Sequence, residues 1–274
     1  MPYRALTFYR LVVLFSAAGC SATSSVLPSC GQGGAAPRGA VGWLNQPAGL
    51  TVLTDEPFDA VSENGWRFTR RQTINGSGVS LALDSSAAFS PPHVLRFTYG
   101  IGFPGGQDPG VVAYDPAAPV RDVYVGLWWK PSNPWQNHVA SGVNKVAFWF
   151  GAGSSGDIAL IMFRSDSAYT LQVVPEFPIT KDVRRLTPNV AATPVSLGAW
   201  HQLEWHVKYS TSPISPDGVT EWWLDGSLQG RYVDLRIPGA GFSEFQIAPT
   251  WGGVEGAKTE VDMYCFDHAR VSAQ

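Results

Sequence analysis

Charge and cysteine are scarce in this chain, and no stretch carries convincing helical periodicity. Of its 274 residues 15% are charged, and the formal charge is -3. Loss of Arg4 and Arg10 with an N-terminal leader would bring that to about -5, so no basic field exists to attract phosphate and nucleic acid is excluded as a partner. The three cysteines, Cys20, Cys30 and Cys265, form no CxxC pair and no Cys/His cluster, which excludes structural zinc. Without amphipathic helical spacing, or any repeat of fixed period, helix bundles, α/β folds and solenoids lose their basis. Plentiful instead are turn formers, 29 Gly and 21 Pro, which suit a fold of many short strands. All-β sandwiches often use well over 200 residues as one unit, so one large domain is expected.

The N-terminus reads as a targeting segment (residues 1–20). Arg4 and Arg10 precede the short apolar run Leu11 to Phe15, and the small residues Ser16 to Gly19 lead to Cys20. That run is too short to span a bilayer. Its end resembles a bacterial lipobox, which implies cleavage and lipidation at Cys20, although Ala17 stands where Leu is usual; plain secretion is the alternative. Residues 21–42, rich in Ser, Gly, Ala and Pro, have the composition of a flexible tether, leaving 43–274 as the domain. An exported setting would permit Cys30 and Cys265 to pair, while a free Cys30 and a buried, unpaired Cys265 is equally compatible with the sequence.

Strand patterns fill the rest. Val123 to Lys130 alternates, with Val123, Val125, Leu127 and Trp129 on one face and Tyr124, Trp128 and Lys130 on the other. Further strands are expected over 65–70, 80–84, 93–99, 144–151, 157–163, 168–175 and 259–272. The most telling stretch is Ala199 to Ser210, which leads through Pro216, Asp217 and Gly218 into Thr220 to Gly226: two adjacent antiparallel strands closing on a turn at Asp225 and Gly226. In the first of them Leu203, Trp205 and Val207 form an apolar row, and Gln202, Glu204, His206 and Lys208 share the opposite face. That polar face is either a solvated exterior or a binding surface.

Eleven Trp exceed what one core needs. Sugars stack their C–H faces on indole rings and offer hydroxyls to planar polar groups, so Trp mixed with Asn, Gln, His and Lys points to a polysaccharide. Trp135, in a polar loop with Gln136, Asn137 and His138, and Trp251, flanked by Gly252 and Gly253, are the expected exposed platforms. Trp200 and Trp205 are expected in the core.

The cadence of Trp200 to Lys208, Pro216 to Gly218 and Glu221 to Gly226 resembles that of concanavalin A-like jelly rolls, a superfamily of carbohydrate-binding domains, glycoside hydrolases and polysaccharide lyases. Between Phe89 and Ser272 further strings, including Val123 to His138, Gly142 to Phe150, Pro249 to Gly253 and Phe266 to Ser272, look like those of secreted bacterial proteins described as polysaccharide-lyase-like. The resemblance implies an all-β, two-sheet antiparallel sandwich whose concave polar sheet binds sugar. It also implies polysaccharide as the partner, a membrane contact through the lipid anchor only, and a monomer.

For chemistry, the E-x-D-x-x-E strand of laminarinase-like members fails here, because Glu260 and Asp262 are followed by Cys265. Glu204 with Glu221 is the remaining carboxylate pair. Lyases of the superfamily neutralise a uronate carboxylate, take the C5 proton and protonate the leaving oxygen, often with Arg, Gln or Asn, His, and Tyr. By that resemblance the catalytic candidates are His206, Lys208, Tyr209, Glu204 and His138. Substrate contacts fall to Trp128, Lys130, Trp135, Gln136, Lys145, Trp251 and Tyr264. The alginate-lyase strings R-x-E-x-R and Q-x-H are absent. Such jelly rolls often hold structural calcium where the first and last strands meet, and Asp55, Glu56 and Asp267 are the candidates.

Overall fold

The structure is a computed structural model that describes residues 30, 42–60, 65–69, 76–165, 168–177 and 185–274. The leader and Cys20 lie outside the described residues, as does the tether apart from Cys30 and Gly42. Fourteen strands follow one another: β1 (Thr51–Glu56), β2 (Trp66–Thr69), β3 (Gly78–Leu83), β4 (His93–Tyr99), β5 (Val111–Tyr114), β6 (Asp122–Pro131), β7 (Val143–Gly151), β8 (Asp157–Ser165), β9 (Ala168–Glu176), β10 (His201–Lys208), β11 (Gly218–Leu224), β12 (Ser227–Leu235), β13 (Phe242–Ile247) and β14 (Asp262–Ala273). One sheet of eight strands runs β12-β11-β10-β6-β14-β4-β3, with β1 also paired to β14; the other, of six, runs β2-β5-β13-β7-β8-β9. All named pairings are antiparallel.

The alternating rows decide which side faces inward. Val123, Val125, Leu127 and Trp129 of β6 meet Leu203, Trp205 and Val207 of β10 in one core, closed from the other sheet by Trp149, Leu160, Leu171 and Phe245. Each such side chain contributes about 1.5–3 kcal/mol on burial. The β10–β11 hairpin forms as the pattern requires, with Trp205 opposite Trp222 and His206 opposite Glu221. Asp225 and Gly226 take left-handed backbone (φ 52° and 78°), the geometry that two-residue hairpin turns favour. β12 and β13 escape the sequence pattern: β12 alternates weakly and carries Arg231 and Asp234 toward solvent, as an edge strand can.

Cys30 is disulfide-bonded to Cys265 of β14, 235 positions away, which settles the pairing left open by the sequence. Cys30 is therefore tied to the domain, and residues 42–46 cross the outer face of the eight-stranded sheet as a strap. Trp43 lies over Gly126 of β6, where a Cβ would come within 2.2 Å of the indole. Asn45 grips the Glu204 carboxylate through its backbone N–H (2.9 Å) and side-chain amide (2.7 Å), Gln202 donates to Gly42 O (2.8 Å), and Gln46 accepts from Arg270 Nε (3.0 Å) and Ser272 Oγ (3.0 Å). Among the described residues no helix is long and apolar enough to cross a membrane.

Candidate functional site

The strap over the eight-stranded sheet determines what its polar face can do. Glu204 is buried and, besides Asn45, accepts from Tyr124 Oη; burial, and then the Glu204 charge, push the Tyr124 phenol well up. Lys130 is buried too: Nζ donates to Asp84 (2.7 Å) and to Cys30 O, above the Trp200 ring at 4.8 Å. Trp128 is buried in the small cluster around the disulfide. His206 sits between Asp122 (2.7 Å) and Glu221 (3.2 Å), which Lys208 and Arg231 flank in turn. Burial alone would lower the imidazole pKa, but these two hydrogen bonds raise it. An imidazolium held by two carboxylates is poorly suited to take a proton. Tyr209 points into the core, edge-on to Phe242 and away from His206, as strand alternation requires.

A second group gathers at one end of the sandwich. Lys258 Nζ is enclosed by Trp135 (4.2 Å), Trp251 (4.8 Å) and Tyr99 (5.1 Å), and pairs with the Asp262 carboxylate. Burial, partly offset by Asp262, brings its pKa down to about 8. Tyr264 stacks on Trp135 at 4.1 Å. Trp135 and Trp251 are only 4% and 1% exposed, so neither is the exposed platform expected from its polar or glycine-rich surroundings. Gly252 does permit a close approach, but by the His138 ring, 1.9 Å from where its Cβ would stand. His138 is buried against Trp251, Ser141 and Glu255 O, and Gln136 holds the loop by accepting from Thr259 N (2.7 Å). These residues lock loops together.

The three metal candidates do not converge. Asp55 bonds His268 Nε2 (2.6 Å) and Arg270 (3.0 Å), Glu56 accepts from Phe58 N (2.9 Å), and Asp267 accepts from Phe89 N and from Ser90 N and Oγ. N–H donors aimed at a carboxylate occupy the lone pairs a hard cation needs, so these residues as arranged do not fit a shared calcium ion. Among the described residues no cluster of three His, Cys, Asp or Glu suits a metal.

The outer face of the six-stranded sheet has a different character. Register places three rows side by side across β7, β8 and β9: Lys145, Ile161 and Gln172; Phe148, Ala159 and Val174; Phe150, Asp157 and Glu176. Aromatic rings outside the main core (Phe148, Phe150 and, further along, Phe163) give this face an apolar floor. Lys145 crosses Phe148 with Nζ 5.2 Å from the ring and 3.8 Å from Glu176, while Arg185 caps Phe163 at 3.7 Å. That ion pair is long and partly exposed, worth about 0–1 kcal/mol, so the ammonium can change partner at little cost. Two oxygens on this face are shut off from solvent without a hydrogen-bond partner among the described residues, Gln172 Oε1 and Asp157 Oδ1. Burial, then the neighbouring Glu176 charge, push Asp157 up to about 6. Only Lys145 of this set stood out in the sequence. Gln172, a lone polar residue in an apolar strand, and β7, aromatic on both faces, were the signals available for the rest.

No protein-family model matches the chain, and no curated protein sequence matches it. Solved structures do. An endo-β-1,4-glucuronan lyase from the fungus Trichoderma reesei superposes with a TM-score of 0.53 at 17% identity, covering 82% of this chain and 96% of the other. An alginate lyase reaches 0.55 at 10% identity, over 77% and 97%. The catalytic domain of an endo-1,3-β-glucanase (laminarinase) from Thermotoga petrophila reaches 0.50 at 14%, over 82% and 98%. At these identities the likeness concerns the fold, and polysaccharide lyases and glycoside hydrolases both stand among the neighbours. The chain is an all-β, two-sheet antiparallel jelly-roll sandwich, the fold it shares with these neighbours.

Proposed function

We propose that this protein binds an acidic polysaccharide across the outer face of its six-stranded sheet and cleaves it by β-elimination. One observation carries the reading: that face combines aromatic rings, an exchangeable lysine and the neighbouring carboxyls Asp157 and Glu176, whereas the polar face of the other sheet is strapped and internally paired. Sugar C–H faces would lie on Phe150 and Phe163, the half-buried rings of this face. Lys145 would leave Glu176 for the uronate carboxylate, withdrawing charge from C5. Glu176 is then the carboxylate placed to accept the C5 proton. As the C4–O bond breaks and the C4=C5 double bond forms, Asp157 in its protonated form returns a proton to the leaving oxygen. An exported, lipid-anchored life fits the disulfide, which an oxidising compartment favours. Two neighbouring carboxyls, with Asp157 pushed up by burial and then by the Glu176 charge, also suit a retaining glycosidase, so hydrolysis at the same pair is the second reading.

The test is a screen of residues 30–274 against alginate, glucuronan, pectate, heparinoids and neutral β-glucans, following unsaturated-uronate absorbance and reducing ends. Both signals together establish the lyase, and reducing ends alone establish hydrolysis. Silence from folded protein would remove the enzymatic reading and leave a non-catalytic binding module.

A further inference from the structure

A second feature lies on the other side of the sandwich, away from the Lys145 face. Where the N-terminal strap leaves the eight-stranded sheet it turns at Pro47 to Leu50, opening a cleft of about 390 Å³ between that turn and Phe89. The wall is aromatic and apolar: Phe89, 40% exposed, stacks on Trp43 at 5.8 Å and 29°, and Pro47 and Leu50 face the same space. The remaining lining is polar and charge-balanced. Arg270 is held by Asp55 (3.0 Å) and by Gln46 Oε1 (3.0 Å), and Asp55 is shared with His268 (2.6 Å). The Trp43 indole N–H, shut off from solvent, has no acceptor among the described residues.

We infer that this cleft binds an uncharged hexopyranose unit of a polysaccharide. An aromatic ring with room beside it takes the apolar face of a pyranose, and the Gln46 amide N–H group, whose oxygen is held by Arg270 and Ser272, is complementary to a hydroxyl. Arg270 and Asp55 already neutralise each other, so a ligand with its own charge would have to break that pair, while a neutral sugar leaves it intact. The volume lies at the small end of small-molecule sites, about 300–1,000 Å³, and suits one or two rings rather than a long chain. Such a site would raise retention on a polymer by linked binding without taking part in cleavage.

The experiment is titration of folded residues 30–274 with cellopentaose, laminaripentaose and xylopentaose, and with a glucuronan pentasaccharide as acidic comparison, followed by calorimetry and Trp emission. Phe89→Ala removes the ring and Ala48→Trp fills the space, both at exposed positions. Saturable binding of a neutral pentasaccharide is expected, weakened at least tenfold in both variants and unchanged in Lys145→Ala. No neutral binding, binding of the acidic oligomer alone at this cleft, or wild-type affinity in the two cleft variants would overturn the inference.

Discussion

Replacing Asp157 with Asn should make the protein more stable and less active, and the first effect should depend on pH. The carboxyl stands opposite Glu176, with one oxygen closed off from solvent and without a partner among the described residues. In the fold burial, and then the Glu176 charge, push its pKa up to about 6 from the ordinary 3.8. Below about pH 4 the group is protonated in both folded and unfolded chains and nothing is lost. As pH rises through 6 the folded protein must ionise it against burial and the Glu176 charge, and stability falls. The ceiling on this cost is about 3 kcal/mol, at roughly 1.36 kcal/mol per pH unit. Partial exposure and screening reduce it to about 1 kcal/mol. Asn keeps the shape without the charge, so Asp157→Asn should gain about 1 kcal/mol at pH 8, or roughly 2–4 °C in Tm, and nothing at pH 4. Calorimetric scans across that range read the difference directly. A variant that is less stable at pH 8, or equally shifted at both pH values, would show that Asp157 carries no such penalty. Eliminating activity should fall at least a hundredfold, because Asn cannot supply the proton.

Three further predictions concern the frame. Cys265→Ser, which opens a 235-residue loop, should cost about 3–5 kcal/mol and admit protease to the N-terminal strap; equal denaturant midpoints with and without reductant would argue that the bond stabilises nothing. Trp251→Ala should lower stability by about 3–5 kcal/mol, because the indole is buried and donates to Gln136 O at 2.9 Å, and a normal melt with selectively lost glycan binding would restore it as a sugar platform. For His206 the folded pKa is raised, so its contribution is complete below about pH 6.5 and fades as pH rises, while Asp122 and Glu221, both lowered, contribute above about pH 4. His206→Gln should therefore cost about 2 kcal/mol near pH 5.5 and less at pH 9, in urea titrations at both values; a constant difference would mean that the histidine stays neutral in the fold.

The fold was legible because alternation is a local signal. Leu203, Trp205 and Val207 announce one buried row, and the turn residues between Tyr209 and Val219 and at Asp225 and Gly226 announce the hairpin partners. Edge strands such as β12 carry polar residues on solvent-facing positions and lose that contrast. The site was harder to read, since alternation tells which residues share a face but not what covers it. Glu204, His206 and Lys208 do share one, yet Asn45, more than 150 positions earlier, closes it, and no local pattern announces a strap. Trp135 and Trp251 sit among polar and small neighbours because they enclose Lys258, a burial that only the folded loops reveal. On the opposite sheet, Asp157 and Gln172 become neighbours of Lys145 only through the β7–β8–β9 register.

On the function proposed above, glycan chemistry belongs to the Lys145 face and not to the His206 face. On the substrate that gives unsaturated uronate, initial rates should be compared for wild type, Lys145→Ala and His206→Ala, each normalised to folded protein. Lys145→Ala should lose at least a hundredfold in kcat/KM, and His206→Ala should stay within threefold of wild type. A silent His206→Ala beside an active Lys145→Ala would place the chemistry under the strap and overturn the account.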